Sequence, residues 1–219
     1  APPVTHVYNP LDYARAPVER YLKMAARGCG QTLLLGMNPG PWGMAQTGVP
    51  FGTVSRVREW LGIEAPVERP TLEHPRRPVL GFGTEREEVS GQRVWGWAQQ
   101  RWGTPERFFA RFFVANYCPL LFLEVSGRNR TPDKLPAAER ATLYEPCDSA
   151  LRELVGVIEP ERVVGIGVFA EQRARTALAE TGLPIGRILH PSPASPVANR
   201  GWAEQAERQL AALGLNLPP

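Results

Sequence analysis

The sequence predicts an α/β fold with a mostly parallel sheet covered by helices on both faces. Two observations support this. Short apolar runs alternate along the chain with segments whose apolar residues recur at helical spacing. The apolar runs are also continuous, as in strands that are buried on both faces. A length of 219 residues with 43% hydrophobic content is enough to build one core, so we expect residues 1–219 to form a single domain.

The elements of the first half are placed by apolar spacing and by Gly and Pro. We expect, in order, a helix at 18–27, a strand at 32–37, a helix at 54–61, a surface loop at 66–78, and a helix at 94–102 that follows a turn at Ser90-Gly91. The first helix rests on Tyr21, Leu22 and Ala25, which share one face. The strand at 32–37 contains three consecutive leucines, which is typical of a central strand.

The second half continues the same alternation. We expect a strand at 112–116, a polar loop containing SGRNRTP, a helix at 137–158, a strand at 162–166, a helix at 170–180, a strand at 187–190 and a closing helix at 198–213. Strands separated by helices are the pattern of parallel sheets, because parallel neighbours need a crossover connection.

Charge and cysteine content narrow the classes of protein. The chain has 25 Lys and Arg against 22 Asp and Glu, which leans mildly towards a polyanionic partner. Cys29, Cys118 and Cys147 are far apart and odd in number, which fits neither a disulfide framework nor a CxxC metal site. We therefore expect an intracellular location, cytoplasm or nucleoid in a bacterium or nucleus in a eukaryote. No apolar run approaches the roughly 20 residues of a membrane span.

Polar residues follow three of the predicted strands. Asn38 follows LLLGM, Asn116 ends FFVAN, and His190 ends RILH. Ligands bind beyond the carboxyl ends of strands in an open parallel sheet, so these three side chains are predicted to meet in one pocket. Taken singly each has an ordinary structural interpretation, since Asn is a common turn residue and a lone His often serves packing. Their shared position favours the pocket.

The segment HPSPASPVANRGW follows the last predicted strand. Proline fixes φ and lowers the entropy that a loop loses on ordering, so this segment is predicted to be a stiff protrusion beside the pocket. The alternative is an ordinary Pro-rich connection between a strand and a helix.

Three long motifs resemble the uracil-DNA glycosylase superfamily, specifically the single-strand-selective monofunctional uracil-DNA glycosylases. They are GMNPGPWGMAQTGVPFG (36–52), NYCPLLFLEVSGRNRTP (116–132) and HPSPASPVANRGW (190–202), with EVSG (88–91) and FAEQRAR (169–175) in support. The resemblance covers most of the chain from about Tyr8. It implies a three-layer αβα sandwich around a central four-stranded, mostly parallel sheet, with a base pocket at the strand ends and neither metal nor cofactor.

The resemblance also assigns roles to residues. Asn38 is similar to the residue that holds the attacking water, and His190 to the one that stabilises the departing uracil anion. Asn116 resembles the residue that reads the uracil edge, and Phe51 the aromatic that stacks on the base. Gly36, Met37 and Gly40 are implied to shape the pocket by close backbone approach. The first motif carries Asn38 where some other members of the superfamily carry Asp, so water positioning is expected rather than base catalysis.

DNA contacts are implied around the pocket. The stretch Pro191, Ser192, Pro193, Ala194, Ser195 and Pro196 resembles the segment that enters the duplex. Arg128, Arg130 and Arg200 are candidates for phosphate contacts, with a solvated surface charge as the alternative for each. Two residues depart from the family pattern: Trp42 replaces an expected Phe, and Ala194 replaces an expected basic residue.

The sequence thus favours a monomeric, monofunctional uracil-DNA glycosylase of base-excision repair, acting on uracil in single- or double-stranded DNA. Substituted uracils and other deaminated bases remain further candidates as substrates. One alternative is a non-catalytic protein that binds damaged DNA. Another is a dinucleotide-binding protein, because GIGVFA at 165–170 fits GxGxxA, although Glu180 comes too early for the ribose contact. A metal-dependent hydrolase is disfavoured, since the chain has only three His and no HExxH.

Overall fold

The computed structural model describes residues 2–26 and 32–218. The strands in these residues are β1 (Val4–Tyr8), β2 (Thr32–Gly36), β3 (Phe112–Asn116), β4 (Leu121–Glu124), β5 (Arg162–Ile166) and β6 (Ile185–Ile188). The α-helices are α1 (Pro10–Tyr13), α2 (Arg15–Ala26), α3 (Met44–Thr47), α4 (Val89–Trp102), α5 (Pro105–Phe109), α6 (Ala137–Ile158), α7 (Val168–Ala177) and α8 (Trp202–Ala212).

The central sheet has four parallel strands in the order β3-β2-β5-β6. Its register pairs Gly36 with Asn116 and Leu35 with Gly165. Every residue of β2 is buried, as the continuous leucine run predicts. Because all four strands run the same way, their carboxyl ends lie at one edge of the sheet. The predicted four-stranded parallel sheet is confirmed.

Helices cover both faces of this sheet. On one face α7 packs against β5, β2 and β6, and α6 packs against α7. The other layer contains α4, which packs against α5 and α8, and α5 in turn contacts α2 and β3. This arrangement is the three-layer αβα sandwich that the sequence predicts.

Aromatic side chains fill the layer between α4, α5 and the sheet. The fully buried Trp95 ring lies 5.6 Å from Phe108 and 5.9 Å from Trp60, centroid to centroid, and Tyr21 joins from α2 at 6.3 Å. The pairs of Trp95 with Phe108 and with Tyr21 are edge-to-face, and such pairs add roughly 0.5–1.5 kcal/mol beyond the apolar area that they bury. The aromatic cluster thus packs α4 and α5 against the sheet. It thereby supports α4, whose first turn reaches the predicted pocket.

A second, two-stranded sheet pairs β1 with β4 in antiparallel register, with Tyr8 opposite Leu121. Neither strand is predicted from the sequence. β1 is short and follows prolines, and β4 lies between the predicted strand at 112–116 and the predicted polar loop at 126–132. Neither has the length or flanking turn signals that identify a strand without its partner.

Several predicted boundaries are wrong. Residues 54–61 form mainly a π-helical turn over Arg56–Trp60, Ser90 and Gly91 lie inside the first turn of α4 rather than in a turn before it, and α8 begins at Trp202 after a 3-10 turn at Ala198–Arg200. A further correction is that β6 ends two residues before His190. The short α1 and α5 were not predicted. Arg27, the predicted end of the first helix, and Cys29 lie outside the described residues.

Candidate active site

The three polar residues predicted from the strand ends line one pocket. Asn116 is the last residue of β3, Asn38 follows β2 by two residues, and His190 follows β6 by two residues. Together with Phe51 they border a cavity of about 500 Å³ at the carboxyl edge of the sheet. Met37 and Gly40 line the same cavity. The parallel sheet therefore brings together positions that are more than 70 residues apart in the sequence.

Gly36 lets the Asn116 amide and the Phe51 ring approach each other. A Cβ atom at position 36 would lie 2.3 Å from Asn116 Oδ1 and 2.6 Å from Phe51 Cε2, both closer than side-chain atoms tolerate. The absence of a side chain at Gly36 is thus a packing requirement of this site. The role of Gly36 in shaping a base pocket stays a prediction, which this close approach supports.

The Asn116 amide is incompletely hydrogen-bonded within the protein. Its Nδ2 donates to Met44 Sδ at 3.2 Å, and its buried Oδ1 has no partner among the described residues. A thioether accepts but does not donate hydrogen bonds, so Met44 favours the orientation in which Nδ2 faces sulfur. A buried acceptor without a partner is costly, and a ligand that donates to Oδ1 would satisfy it.

Asn38 is oriented by two backbone carbonyls. Its Nδ2 donates to Leu120 O at 3.2 Å and to Pro39 O at 3.4 Å. With the amino group engaged, the amide oxygen remains as an acceptor at the pocket wall, where it can hold a water molecule.

Asn129 is a pocket residue that the sequence analysis did not select. Its Nδ2 donates to Pro39 O at 3.3 Å, and its Oδ1 is buried without a partner within the described part of the chain. It lies in the SGRNRTP stretch, so the motif containing it was recognised while the residue was not. An asparagine within a polar loop carries no signal of its own.

His190 presents a defined tautomer to the pocket. The Ser192 N–H donates to His190 Nδ1 at 3.1 Å, so Nδ1 is the unprotonated nitrogen and Nε2 carries the hydrogen of the neutral ring. Burial lowers the pKa of His190 to about 4, and the ring is therefore neutral at physiological pH. Its ring centroid lies 6.3 Å from that of Phe51. A neutral imidazole with Nε2–H free is a hydrogen-bond donor for a ligand oxygen.

Phe51 is held in a left-handed backbone conformation, with φ of 56°. This conformation is uncommon for a bulky residue and persists only where surrounding contacts enforce it. The Trp95 indole N–H donates to Pro50 O at 3.0 Å. Gly91 supplies space, because a Cβ there would lie 2.0 Å from the Phe51 carbonyl oxygen. Within the EVSG motif, Gly91 therefore lets α4 pack closely against the backbone of Phe51.

Glu88 is the second pocket residue that the sequence analysis did not select. Its Oε2 atom is buried without a hydrogen-bond partner among the described residues, and the backbone N–H groups of Trp42 and Gly43 favour the charged form of the carboxyl group. A Cβ at Gly40 would lie 1.9 Å from Glu88 Oε2, so the glycine-rich loop closes directly over the carboxyl group. Burial raises the pKa of Glu88 to about 7, although the two N–H donors oppose the shift. Its position inside the EVSG motif was the available sequence signal.

The Pro-rich segment is anchored beside the pocket. Pro191 is buried, whereas Pro193, Ala194 and Pro196 are exposed. Arg93 on α4 donates from Nη1 to Pro191 O at 2.9 Å and from Nη2 to Asn199 Oδ1 at 2.8 Å, on the two sides of the segment. Arg93 therefore fixes the base of this segment to α4. Ser192 and Pro193 also line the pocket.

The three arginines predicted for phosphate contacts differ in their surroundings. Arg130 forms an ion pair with Glu124, Nη1 to Oε1 at 2.9 Å, and donates from Nε to Lys134 O at 2.9 Å. Arg128 and Arg200 are exposed. The guanidinium of Arg130 thus stabilises its own loop, while those of Arg128 and Arg200 are accessible.

The GIGVFA stretch is a site of close strand-to-helix packing. A Cβ at Gly165 would lie 2.3 Å from the backbone nitrogen of Glu171 in α7. Gly167, with φ of 95°, is placed so that a Cβ there would lie 3.1 Å from His190 Cβ. Both glycines therefore allow close packing. This is the alternative to dinucleotide binding for the GIGVFA stretch.

Residues 2–26 and 32–218 contain neither a grouped set of metal ligands nor a membrane-spanning helix. No three His, Cys, Asp or Glu side chains in this part of the chain are close enough to hold one metal ion together. None of its helices is both long enough and apolar enough to cross a membrane.

Comparison with known proteins finds relatives that are more than half identical to this chain. No protein-family model matches the chain. A Bos taurus protein named single-strand selective monofunctional uracil DNA glycosylase is 53% identical over 211 residues, which cover 95% of this chain and 78% of the relative. Proteins of the same name from Mus musculus and Rattus norvegicus are 51% and 52% identical over 215 residues, covering 97% of this chain and 77% of each relative.

A solved structure shares the fold. The crystal structure of wild-type Pedobacter heparinus SMUG2 matches with a TM-score of 0.71 at 18% sequence identity, covering 98% of this chain and 88% of that chain. The fold of this chain is therefore also found in an experimental structure.

Proposed function

The chain belongs to the family of single-strand-selective monofunctional uracil-DNA glycosylases, and we propose that it excises uracil from DNA in the pocket bordered by Asn38, Phe51, Asn116 and His190. The observation that carries the proposal is the convergence of two amides, an imidazole and an aromatic ring in one cavity of about 500 Å³. The enzyme hydrolyses the N-glycosidic bond and leaves an abasic site, which is the first product of base-excision repair.

Base extrusion precedes the chemistry. A base within a duplex is out of reach, and flipping it costs a few kcal/mol, least for mismatched or single-stranded positions. Phe51 offsets part of this cost by stacking on the base, since base–aromatic stacking contributes roughly 1–3 kcal/mol. The Phe51 ring is buried at the pocket wall and held by its backbone, which supports a preformed stacking platform.

Asn116 reads the edge of the base. Its Oδ1 accepts from uracil N3–H, and a hydrogen of Nδ2 reaches O4. Cytosine presents a bare acceptor and a donor at these positions, so it would leave buried groups unpaired at roughly 1–3 kcal/mol each. The unpartnered Oδ1 and the contact of Nδ2 with Met44 Sδ support this orientation of the amide.

His190 stabilises the leaving group. As the glycosidic bond breaks, negative charge develops on the uracil ring and positive charge on the sugar. The neutral imidazole donates from Nε2–H to uracil O2, and the Met37 backbone N–H is a second candidate donor. Loss of one such donor typically costs roughly 2.7–4 kcal/mol in the transition state. The hydrogen bond from Ser192 N–H to Nδ1 supports the required tautomer.

Asn38 positions the water. An amide is not a strong base, so it orients a water molecule for attack on a sugar that has already gained most of its positive charge. The two carbonyls that engage Nδ2 leave Oδ1 to accept from that water. Hydrolysis then needs no lysine nucleophile, and the DNA strand is not nicked.

DNA is held by groups at the rim of the pocket and beyond it. The segment Pro191–Pro196 enters the space that the flipped nucleotide leaves, and Arg128 and Arg200 contact phosphates. Arg130 contributes by ordering the loop that carries Asn129, because its guanidinium is paired with Glu124. We further propose that the protein acts as a monomer inside the cell, on single-stranded as well as double-stranded DNA.

The proposed function is tested by single-turnover cleavage of labelled oligonucleotides that carry one uracil, single-stranded or opposite G or A, in buffer with a metal chelator. Strand breaks at uracil that appear only after alkali treatment are expected. Strand breaks without alkali would contradict monofunctional chemistry. Tight binding without any cleavage would favour the non-catalytic binder of damaged DNA.

A further inference from the structure

A second cleft adjoins the base pocket. It has a volume of about 610 Å³ and is bordered by Trp42, Leu80 and the segments 75–78 and 83–86. Trp42 lines both this cleft and the base pocket. The cleft is therefore directly continuous with the wall of the base pocket at Trp42.

The walls of the cleft carry an excess of positive charge. Arg76, Arg77 and Arg86 line it, against the single carboxylate of Glu85. Among the described residues no carboxylate forms an ion pair with any of the three arginines. Two other cations near the pocket are engaged within the protein, since Arg130 pairs with Glu124 and Arg93 donates to the Pro-rich segment. Unpaired guanidinium groups lining a cleft are a typical phosphate site.

Two of these guanidinium groups rest on the Trp42 ring. The Cζ atom of Arg86 lies 4.5 Å from the ring centroid and that of Arg77 lies 5.3 Å from it. Trp is the strongest cation–π partner, and such contacts restrict the flexible guanidinium before a ligand arrives. Arg77 is otherwise held through a hydrogen bond from Nη1 to Arg76 O at 2.9 Å, and its buried Nε has no partner in the described chain.

Trp42 is also the position that departs from the family motif, where Phe is expected. A phenyl ring has a weaker face for cations and no N–H group. In this chain no described residue accepts a hydrogen bond from the Trp42 indole, which is only half-buried. The replacement therefore adds both a stronger platform for the two arginines and a free donor at the entrance of the cleft.

We propose that this cleft, formed by Trp42, Arg76, Arg77 and Arg86, binds backbone phosphates of the DNA strand that carries the uracil, on one side of the flipped nucleotide. The proposal rests on the proposed function and names a part of the substrate beyond the base. Phosphate contacts fix the position of a strand without reading its sequence. Residues 191–196 contain no Lys or Arg, so phosphate contacts made by cations lie outside the Pro-rich segment.

The test measures equilibrium binding of single-stranded oligonucleotides in which the uracil nucleotide carries a 2′-fluorine. Fluorine disfavours positive charge on the sugar and so slows cleavage. The variants are Arg77→Ala with Arg86→Ala, Arg86→Glu, and Trp42→Phe, and each is compared with wild type at several salt concentrations. The double variant is expected to raise Kd by about tenfold or more. The slope of log Kd against log salt should fall by about 0.7 for each phosphate that the variant no longer neutralises.

Arg107→Ala is the matched control. Arg107 is exposed on α5, which precedes β3 and so lies at the opposite end of the sheet from the pocket. Its removal takes away one positive charge and is expected to leave Kd and the salt slope close to those of wild type. Circular dichroism of every variant checks that the fold is retained, and Trp42→Phe introduces the residue expected in the family.

Truncated oligonucleotides locate the site of phosphate binding. Removing the nucleotides on one side of the uracil should abolish the difference between wild type and the double variant, while removing those on the other side should preserve it. Equal reductions of affinity in the arginine variants and in Arg107→Ala would overturn the proposal, even if wild type excises uracil normally. Failure of wild type to excise uracil, together with a reduced salt slope in the double variant, would instead overturn the proposed function and keep the cleft as a DNA site.

Discussion

At the scale of single residues, the three predicted polar side chains of the pocket each have one atom hydrogen-bonded within the protein and another atom left for a ligand. Asn116 Oδ1 has no partner in the described chain, Asn38 is held through its amino group, and His190 is held through Nδ1. In each case the protein fixes one polar atom and leaves the other for a ligand. Pre-orientation of this kind avoids reorganisation when charge develops in the transition state.

His190 gives the first prediction. Replacement of His190 by Ala should lower the single-turnover rate by roughly 10²–10³, because a donor to the uracil anion is removed. Since the pKa of His190 is lowered to about 4, the ring stays neutral and the rate should not change through this group between about pH 5.5 and 8. The rate is measured over that range. A wild-type rate that falls as the pH rises through about 6.5 would show that the charged imidazolium acts instead.

Asn116→Asp tests how the base is read. A carboxylate can accept from N3–H but cannot donate to O4, so discrimination between uracil and cytosine should weaken along with uracil excision. Single-turnover rates on oligonucleotides with uracil or cytosine at the same position give the selectivity. Unaltered selectivity would indicate that another residue reads the base.

Gly36→Ala tests the close approach beneath the pocket. The added Cβ would lie 2.3 Å from Asn116 Oδ1, so the amide and the Phe51 ring must move. Misplacement of about 1 Å can reduce the rate by about 10²-fold, and a reduction of that order is expected in single-turnover excision. Gly156→Ala is the control, because a Cβ at Gly156 meets no other atom within 4 Å. Similar rates in the two variants would contradict this account of Gly36.

At the scale of elements, the site is held by interactions between neighbouring elements rather than by loops alone. The Tyr117 hydroxyl donates to Asp148 on α6 at 2.6 Å and accepts from Arg173 Nε on α7 at 3.0 Å, directly after Asn116. On the other side of the pocket, Arg93 on α4 ties down the Pro-rich segment. Rigid helices thus position the segments that carry the polar side chains.

The Pro-rich segment gives the prediction at this scale. Replacement of residues 191–196 by a Gly-Ser linker should reduce excision from duplex DNA more than from single strands, because only a duplex has a stack that must be filled. Arg93→Ala keeps the prolines but releases their anchor, and a smaller change in the same direction is expected. Excision rates on matched single-stranded and duplex oligonucleotides provide the ratio. Equal reductions on both substrates would argue against a role in duplex entry.

At the scale of the whole molecule, the buried carboxyl group of Glu88 links pH to stability. Its pKa is raised from 4.5 to about 7, so the folded state holds a proton that the unfolded state releases. The resulting stabilisation is fully present below pH 4.5 and is lost as the pH rises through about 7. The lowered pKa of His190 acts in the opposite sense, and its contribution is complete above pH 6.5.

Glu88→Gln is therefore expected to flatten the pH dependence. The difference in unfolding free energy between the variant and wild type should grow in favour of the variant from about pH 5 to pH 8, with an upper bound of roughly 3 kcal/mol. Urea unfolding at several pH values measures it, and taking the difference removes the contribution of His190. Glu85→Gln, which removes an exposed carboxylate from the same segment, should stay close to wild type. If the unfolding free energies of Glu88→Gln and wild type change with pH in the same way, Glu88 does not titrate in this range.

Much of the fold and part of the site are determined by the sequence itself. Four buried strands and the alternating helices follow from apolar periodicity, and β3, α6 and β5 match their predicted bounds. Asn38, Asn116 and His190 could be selected because parallel strands end at one edge of a sheet, so a position in the sequence implies a position in space. The family followed from three long motifs.

The remaining features depend on contacts that only the tertiary structure creates. β1 and β4 are recognisable as strands only as a pair, because neither satisfies its backbone hydrogen bonds alone. The raised pKa of Glu88 comes from burial under the loop at 40–43, and the anchoring by Arg93 joins residues about 100 positions apart. The cleft at Trp42 likewise combines a residue of the first motif with a Pro-rich loop that had no predicted role. Periodicity reports local burial, whereas these features arise where segments distant in sequence pack against each other.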